Sequence, residues 1–181
     1  MTREKVLELI EKYVSKNNLK KHMYATEAVM KSIAEKLGED SELWALTGLV
    51  HDLDYDETVN DFQNHGFRTA EILSVEDVPE EAIHAIKAHP GHVPIESTLD
   101  RALFAVDPIT GLIVAATLMH PSKKLKEVDV GFLKRRFKDK RFAAGADRDQ
   151  IKSCEKLGIP LDEFMQISLK AMQSIDTELG L

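Results

Sequence analysis

Apolar residues recur at helical spacing through most of this chain. Val6, Leu7, Leu9, Ile10, Tyr13 and Val14 predict an amphipathic helix from about Arg3 to Ser15, and Asn17 and Asn18 break it. Met23, Ala25, Val29, Met30, Ile33, Ala34 and Leu37 predict a second helix from about Leu19 to Leu37, with Gly38 as its stop. Ser41 is positioned to cap a third, from Glu42 to about Leu53, which carries Trp44, Leu46 and Leu49. Residues Asp61 to Leu73 and Pro79 to Ala88 read as two more. Proline is tolerated in a first turn, and Glu80 and Glu81 suit the dipole there. Leu99 to Met119 reads as a mostly buried helix that Pro121 ends, and Asp147–Leu157 and Leu161–Leu179 close the chain. No stretch alternates convincingly like a strand, so the expected fold class is all-α.

Length and composition narrow the class. A chain of 181 residues suits one domain with a real core, and 43% hydrophobic with 30% charged content is globular. A formal charge of -7 argues against general nucleic-acid binding. The single cysteine, Cys154, excludes an internal disulfide, and a cytoplasmic location is the expectation. The start, Met1 to Lys5, lacks the apolar run of a signal peptide. The most apolar window, Ala102 to Met119, is interrupted by Asp107 and Pro108 and reads as a core helix, so no membrane partner is expected.

Chemistry concentrates at Leu49-Val50-His51-Asp52-Leu53-Asp54-Tyr55-Asp56, where an apolar segment runs into an acidic turn. A buried carboxylate takes a partner, a proton or a cation, and a divalent cation satisfies His51 and Asp52 together. His22, His65, His89 and Asp107 are further ligand types in chain order. Taken singly, each has an ordinary reading: His22 as a surface or capping residue, His65 as a partly exposed helix residue, His89 as a dipole contact at a helix end. His84, His92 and His120 read as background. Asp107 is the only charged residue between Arg101 and His120. Two readings of it stand: an N-cap followed by Pro108 at the first helical position, or an inward carboxylate neutralised by a cation in a helix that Pro108 kinks. Asp52, Asp54 and Asp56 have the opening spacing of a calcium-binding EF-hand loop. Glu57 stands where that loop needs glycine and Gln63 where it needs glutamate, so that reading fails.

The order His22, then His51-Asp52, then Asp107, on an all-α background, resembles the HD superfamily of metal-dependent phosphohydrolases, with the likeness covering about Leu19 to Met119. The resemblance implies an HD-type metal-binding helical domain over residues 1–120. Residues 121–181 would then be a C-terminal helical extension packed on the same domain. It implies His22, His51, Asp52 and Asp107 as ligands of one divalent metal. His65-Gly66 and His89, which closes Ala85-Ile86-Lys87-Ala88, resemble the dinuclear branches. There His65 and His89 would hold a second ion with Asp52 as the bridge. Imidazole-rich sites suit iron, manganese, zinc or nickel better than magnesium. The frequent His-Asp-Ile-Gly form is here His51-Asp52-Leu53-Asp54. The Gly-Tyr-Pro signature is replaced by His89-Pro90-Gly91-His92, so cleavage of cyclic-di-GMP is not expected.

By this resemblance the expected activity is hydrolysis of a phosphate ester or anhydride of a nucleotide or related small phosphorylated metabolite, by metal-activated water. Arg68 and Lys87 are candidates to stabilise charge on the phosphoryl oxygens, against the reading of both as solvated surface charges. Asp54 and Asp56 are candidates to orient a ligand histidine or to act as acid or base, against the reading of both as turn residues. Two other functions remain open: a dinuclear-iron oxygenase using the same ligand types, and a non-catalytic nucleotide-binding regulatory module. The basic segment Lys134 to Arg141 reads first as a solvated helix face. Oligomeric state is open.

Overall fold

The first helix begins where a hydroxyl can hold its free end. Thr2 Oγ1 accepts from the Lys5 backbone N–H, and α1 runs Arg3–Tyr13. The computed structural model describes residues 1–181 and contains helices and turns only. After α1 come α2 (Asn17–Leu37), α3 (Ser41–Val50), the single turn α4 (Tyr55–Thr58), α5 (Phe67–Leu73) and α6 (Glu80–Ala88). The long α7 (Thr98–Met119) follows, then α8 (Val130–Lys138), α9 (Arg148–Lys152), α10 (Leu161–Ser174) and the terminal turn α11 (Asp176–Leu179).

Several boundaries differ from the periodicity. Asp40, not Ser41, caps α3: its Oδ1 accepts from Glu42 N and Leu43 N at 3.1 and 3.0 Å. A carboxylate one position earlier satisfies two orphan amides and favours the dipole as well. The same helix stops at Val50, so His51 to Asp54 form a turn and not its last residues. The helix expected from Asp61 to Leu73 is split. A 3-10 turn covers Phe62–Asn64, Gly66 takes φ +79°, and α5 begins only at Phe67. The last two expected helices also break, into α9 plus a 3-10 turn at Ser153–Leu157, and into α10 plus α11.

Helix α7 is the middle of the core. Its Leu103, Val106, Ile109, Leu112 and Ile113 are fully buried, against Val29, Met30 and Ile33 of α2 and against Phe164, Leu169 and Met172 of α10. Length and composition alone would let α7 cross a bilayer, but here it is packed among the other helices. Leu133 and Ile151, from α8 and α9, join the same core. A smaller core joins Val6 and Ile10 of α1 to Leu49 and Val50 of α3 and Ile83 and Ile86 of α6. Helices α2 and α3 make the closest helix pair, and Gly48 permits it. A Cβ there would stand 2.9 Å from both the Thr26 carbonyl oxygen and Met30 Cγ. Cys154 is buried in the core and burial pushes its thiol up to about 12, which suits packing and not chemistry.

Asp56 fastens the acidic turn to the α1–α2 connection. Its Oδ2 accepts from Ser15 N and Ser15 Oγ at 2.7 Å each and from Lys16 N at 3.2 Å. Burial works to raise this carboxyl, but those hydrogen bonds outweigh it and hold it at about 2. A carboxylate lowered on folding adds stability above the unfolded value of about 4, and that stability is lost as pH falls through the folded one. Asp56→Asn is therefore expected to melt at lower temperature than the parent at neutral pH, with the gap closing between about pH 4 and 2. Parallel thermal melts across that range check it, and a constant gap would contradict it.

Candidate metal centre

Four helices present the candidate ligands. α2, α3, α6 and α7 pack against one another as neighbours, α2 with α3 and α7, and α6 with α3 and α7. His22 lies in the second turn of α2, His51 and Asp52 just past the end of α3, His89 just past the end of α6, and Asp107 in the middle of α7. His65 comes from the loop between the 3-10 turn and α5. Asp107 is not an N-cap. The cap of α7 is Ser97, in a capping box with Asp100, and the helix continues through Pro108. A proline in a helix interior forfeits its own N–H bond and crowds the preceding turn. The burial of both flanks of α7 outweighs this and leaves Asp107 facing His22.

Each imidazole is oriented by a bond at Nδ1. His51 Nδ1 donates to the Gly48 carbonyl at 2.8 Å, and His89 Nδ1 to the Ile86 carbonyl at 2.6 Å. Carbonyls only accept, so both rings carry the proton on Nδ1. His65 Nδ1 donates to Asp54 Oδ1 at 2.8 Å, while Asp54 Oδ2 accepts from Gly66 N and Thr69 N at 2.7 and 2.9 Å. His22 Nδ1 donates to Thr110 Oγ1 at 2.9 Å, and that hydroxyl donates onward to the Asp107 carbonyl at 2.9 Å. All four Nε2 atoms are therefore left with lone pairs, the arrangement that metal-ligating histidines adopt.

Those lone pairs converge. His22 Nε2 and His51 Nε2 are 3.2 Å apart, and His65 Nε2 and His89 Nε2 are 3.1 Å apart. Asp52 stands between the pairs. Its Oδ2 is 3.5 Å from His22 Nε2, and its Oδ1 is 3.4, 3.4 and 3.5 Å from Nε2 of His51, His65 and His89. Asp107 Oδ1 adds contacts of 3.1 Å to His22 Nε2 and 3.9 Å to His51 Nε2. Donors about 2.1 Å from one cation stand about 3.0–3.4 Å apart in octahedral or tetrahedral geometry, so these separations fit the edges of a coordination shell. Two neutral Nε2 lone pairs facing each other repel, and a cation between them removes the conflict.

The electrostatics point the same way. Burial pushes His51 down to about 4, against the pull of Asp52, so its Nε2 stays unprotonated at neutral pH. Burial also opposes charge on His22 and His65. Hydrogen bonds that the charged rings donate to Asp107 and Asp54 respectively, with the charge of Asp52, reverse that and raise both. Burial alone would raise the Asp52 and Asp107 carboxyls. The surrounding imidazoles, led by His51 for Asp52 and His22 for Asp107, hold both below the usual carboxylate range. The cluster draws positive charge to itself, as a proton or as a metal ion. Two ligand-competent triads form here, His22 with His51 and Asp107, and His51 with Asp52 and His89. The centre is thus suited to a divalent cation.

The other candidates fall elsewhere. Arg68 is at the surface, bound to Glu71 at 2.8 Å and near Glu57 at 3.5 Å, and it does not line the cavity over the cluster. Lys87 lies on α6 behind Gly66 and does not line it either. Asp54 holds His65 and two backbone amides, and Asp56 holds the α1–α2 connection, so neither faces the cluster directly. His84 pairs with Asp100 at 3.0 Å, His92 donates to the Phe62 carbonyl at 2.7 Å, and His120 bonds Ser122. Thr110 falls on the Asp107 face by spacing, as a small group beside the site, but spacing does not reveal its role in orienting His22. A hydroxyl three residues after Asp107, on the same helix face, was the available signal.

Comparison with known proteins agrees with this geometry. No curated protein and no solved structure matched the chain. A family model, the HD domain, matches residues 19–130, a span of more than half the chain that holds all six converging side chains. With its histidine–aspartate cluster inside that span, the chain belongs to the HD domain family.

Proposed function

We propose that the protein is a metal-dependent phosphohydrolase acting on a small phosphorylated metabolite. The observation that carries this reading is the position of Asp52, with one carboxylate oxygen toward His22 and the other among His51, His65 and His89. His22, His51, Asp52 and Asp107 would hold one divalent ion, and His65 and His89 with the other side of Asp52 a second. A bound divalent ion supplies a lowered water pKa and Lewis-acid polarisation of a phosphoryl oxygen. The chain's own part is to fix the donors. Thr110, Gly48, Asp54 and Ile86 each lock one imidazole, so little reorganisation is needed on binding. Imidazole-rich donors favour iron, manganese, zinc or nickel over magnesium.

The test is elemental analysis of purified protein, then phosphate release from a panel of phosphorylated metabolites with each ion restored after chelation. Metal near one or two equivalents per chain, with phosphate release that chelation abolishes, is the expected result. Oxygen consumption with iron, and no phosphate release with any ion, would overturn it in favour of an oxygenase. Tight nucleotide binding without turnover would overturn it in favour of a regulatory module.

A further inference from the structure

The cavity over the cluster has a volume of about 1020 Å³, ample for a small metabolite. Its wall is short of cations. Among all its lining residues the only lysine or arginine is Lys16, and Lys16 Nζ is already 3.0 Å from Asp56 Oδ1. Away from the candidate ligands, the polar side chains of the wall are mostly amides: Asn17 and Asn18 at the start of α2 and Gln150 on α9. The rest is largely apolar, with Phe104 and the partly exposed rings of Tyr55 and Phe62, which are 37% and 55% exposed.

One side of this wall lies beyond the family match. Ala143, Gly145, Ala146 and Gln150 line the cavity, whereas the HD domain match ends at residue 130. That loop is fixed from behind by Arg148. Its guanidinium donates to the carbonyls of Ala143 at 2.7 Å, Ala146 at 2.5 Å and Asp139 at 3.3 Å, and to those of Phe142 and Phe137. Ala143 is held at φ +43°, a region that residues with a Cβ seldom adopt. The guanidinium is consumed by these bonds, so its charge serves the loop and not the cavity.

Charge balance then limits what fits. Asp52 and Asp107 carry two negative charges and the buried Asp54, bonded to His65, a third, so even two divalent ions leave a net charge of only about one positive at the centre. That offsets part of the charge of one phosphoryl group and no more. A second or third phosphate would bring more negative charge to a wall of amides and aromatic rings. Building on the phosphohydrolase reading, we infer that the substrate is a monoester: one phosphoryl group on a neutral body with a planar, hydrogen-bonding ring. The ring is recognised by aromatic faces and by Gln150, and the cavity disfavours di- and triphosphates. In the reaction, water oxygen bonds to phosphorus, the ester P–O bond breaks, and a water proton ends on the released alcohol. Nothing is oxidised or reduced.

The experiment uses the full metal-loaded chain with adenosine and guanosine mono-, di- and triphosphates, ribose phosphate and pyrophosphate. Monophosphates are expected to exceed the matching di- and triphosphates in kcat/KM by about tenfold or more. Calorimetry with the free nucleosides supplies a readout independent of turnover. Gln150→Ala and Phe62→Ala are expected to weaken nucleoside binding, each by about tenfold, while metal content stays at the parent level. Arg148→Lys is expected to raise KM for the monophosphate more than it lowers kcat, because it loosens the wall and touches no reacting atom. Equal or better use of triphosphate or pyrophosphate would overturn the monoester assignment while leaving the phosphohydrolase reading intact. So would unchanged nucleoside binding in both alanine variants. Failure to release phosphate from every compound would instead sink the phosphohydrolase reading itself, and this inference with it.

Discussion

Asp52→Ala is expected to empty the centre of metal and to lower phosphate release by on the order of 10³-fold or more. No other carboxylate in the cluster touches both imidazole pairs: Asp52 reaches His22 through one oxygen and His51, His65 and His89 through the other. Its removal leaves the four Nε2 lone pairs with Asp107 as the only carboxylate among them, and Asp107 reaches only His22 and His51. Asp52→Asn is the sharper companion. The amide keeps the size but loses the charge and half of the acceptor capacity. Its metal affinity should fall nearly as far, which separates a charge effect from a packing one. Circular dichroism confirms that both variants fold, and metal analysis then reads the site directly. Arg68→Ala supplies the contrast. That guanidinium is engaged by Glu57 and Glu71 at the surface, so turnover should change by less than about twofold. Full metal occupancy in both Asp52 variants would falsify the assignment of this cluster as a metal centre.

The helical class was legible because helices repeat their apolar positions: the buried face of α2 is the one its periodicity marks, whereas α7 announces burial by being apolar nearly all round. Histidine beside aspartate at the end of an apolar run also marked the chemistry. What the spacing could not decide was direction. The N-cap reading of Asp107 and the inward one use the same residues, and only the continuous burial of α7 on both sides of Pro108 separates them. His65 posed the reverse problem. The pattern ran a helix through it, whereas Gly66 at positive φ ends the preceding turn and releases His65 toward Asp54. Arg68 and Lys87 stood both as phosphate-binding candidates and as solvated surface charges, because charge is visible in a sequence and its placement is not. Glu57 and Glu71 claim Arg68 from two different segments. Arg148 was invisible for a related reason. Its role is to bond the carbonyls of a loop, and backbone acceptors leave no trace in residue identity.

Gly66→Ala should produce the second large effect, from a position with no functional group at all. Gly66 has φ +79°, which costs an alanine roughly 1–2 kcal/mol of backbone strain. The contact is worse than the strain: a Cβ there would stand 2.6 Å from the Ile86 carbonyl oxygen, and backbone cannot swing aside as a side chain can. That carbonyl is the acceptor that orients His89, and the Gly66 N–H is one of the donors that hold Asp54, which in turn orients His65. One methyl group therefore disturbs both imidazoles of one pair and neither of the other, since His22 and His51 are oriented by Thr110 and Gly48. The expected outcome is a folded protein with a lowered Tm. Metal affinity should fall by about 10–100-fold at the second ion proposed for His65 and His89, and by much less at the one proposed for His22 and Asp107. Metal titration followed by calorimetry resolves the two. Gly48→Ala, which crowds α2 against α3 instead, should lower stability without that selectivity. Equal weakening of both ions by Gly66→Ala would mean that the two imidazole pairs do not act as separate halves, and an unchanged titration would mean that Ile86 and Asp54 do not set the donor geometry.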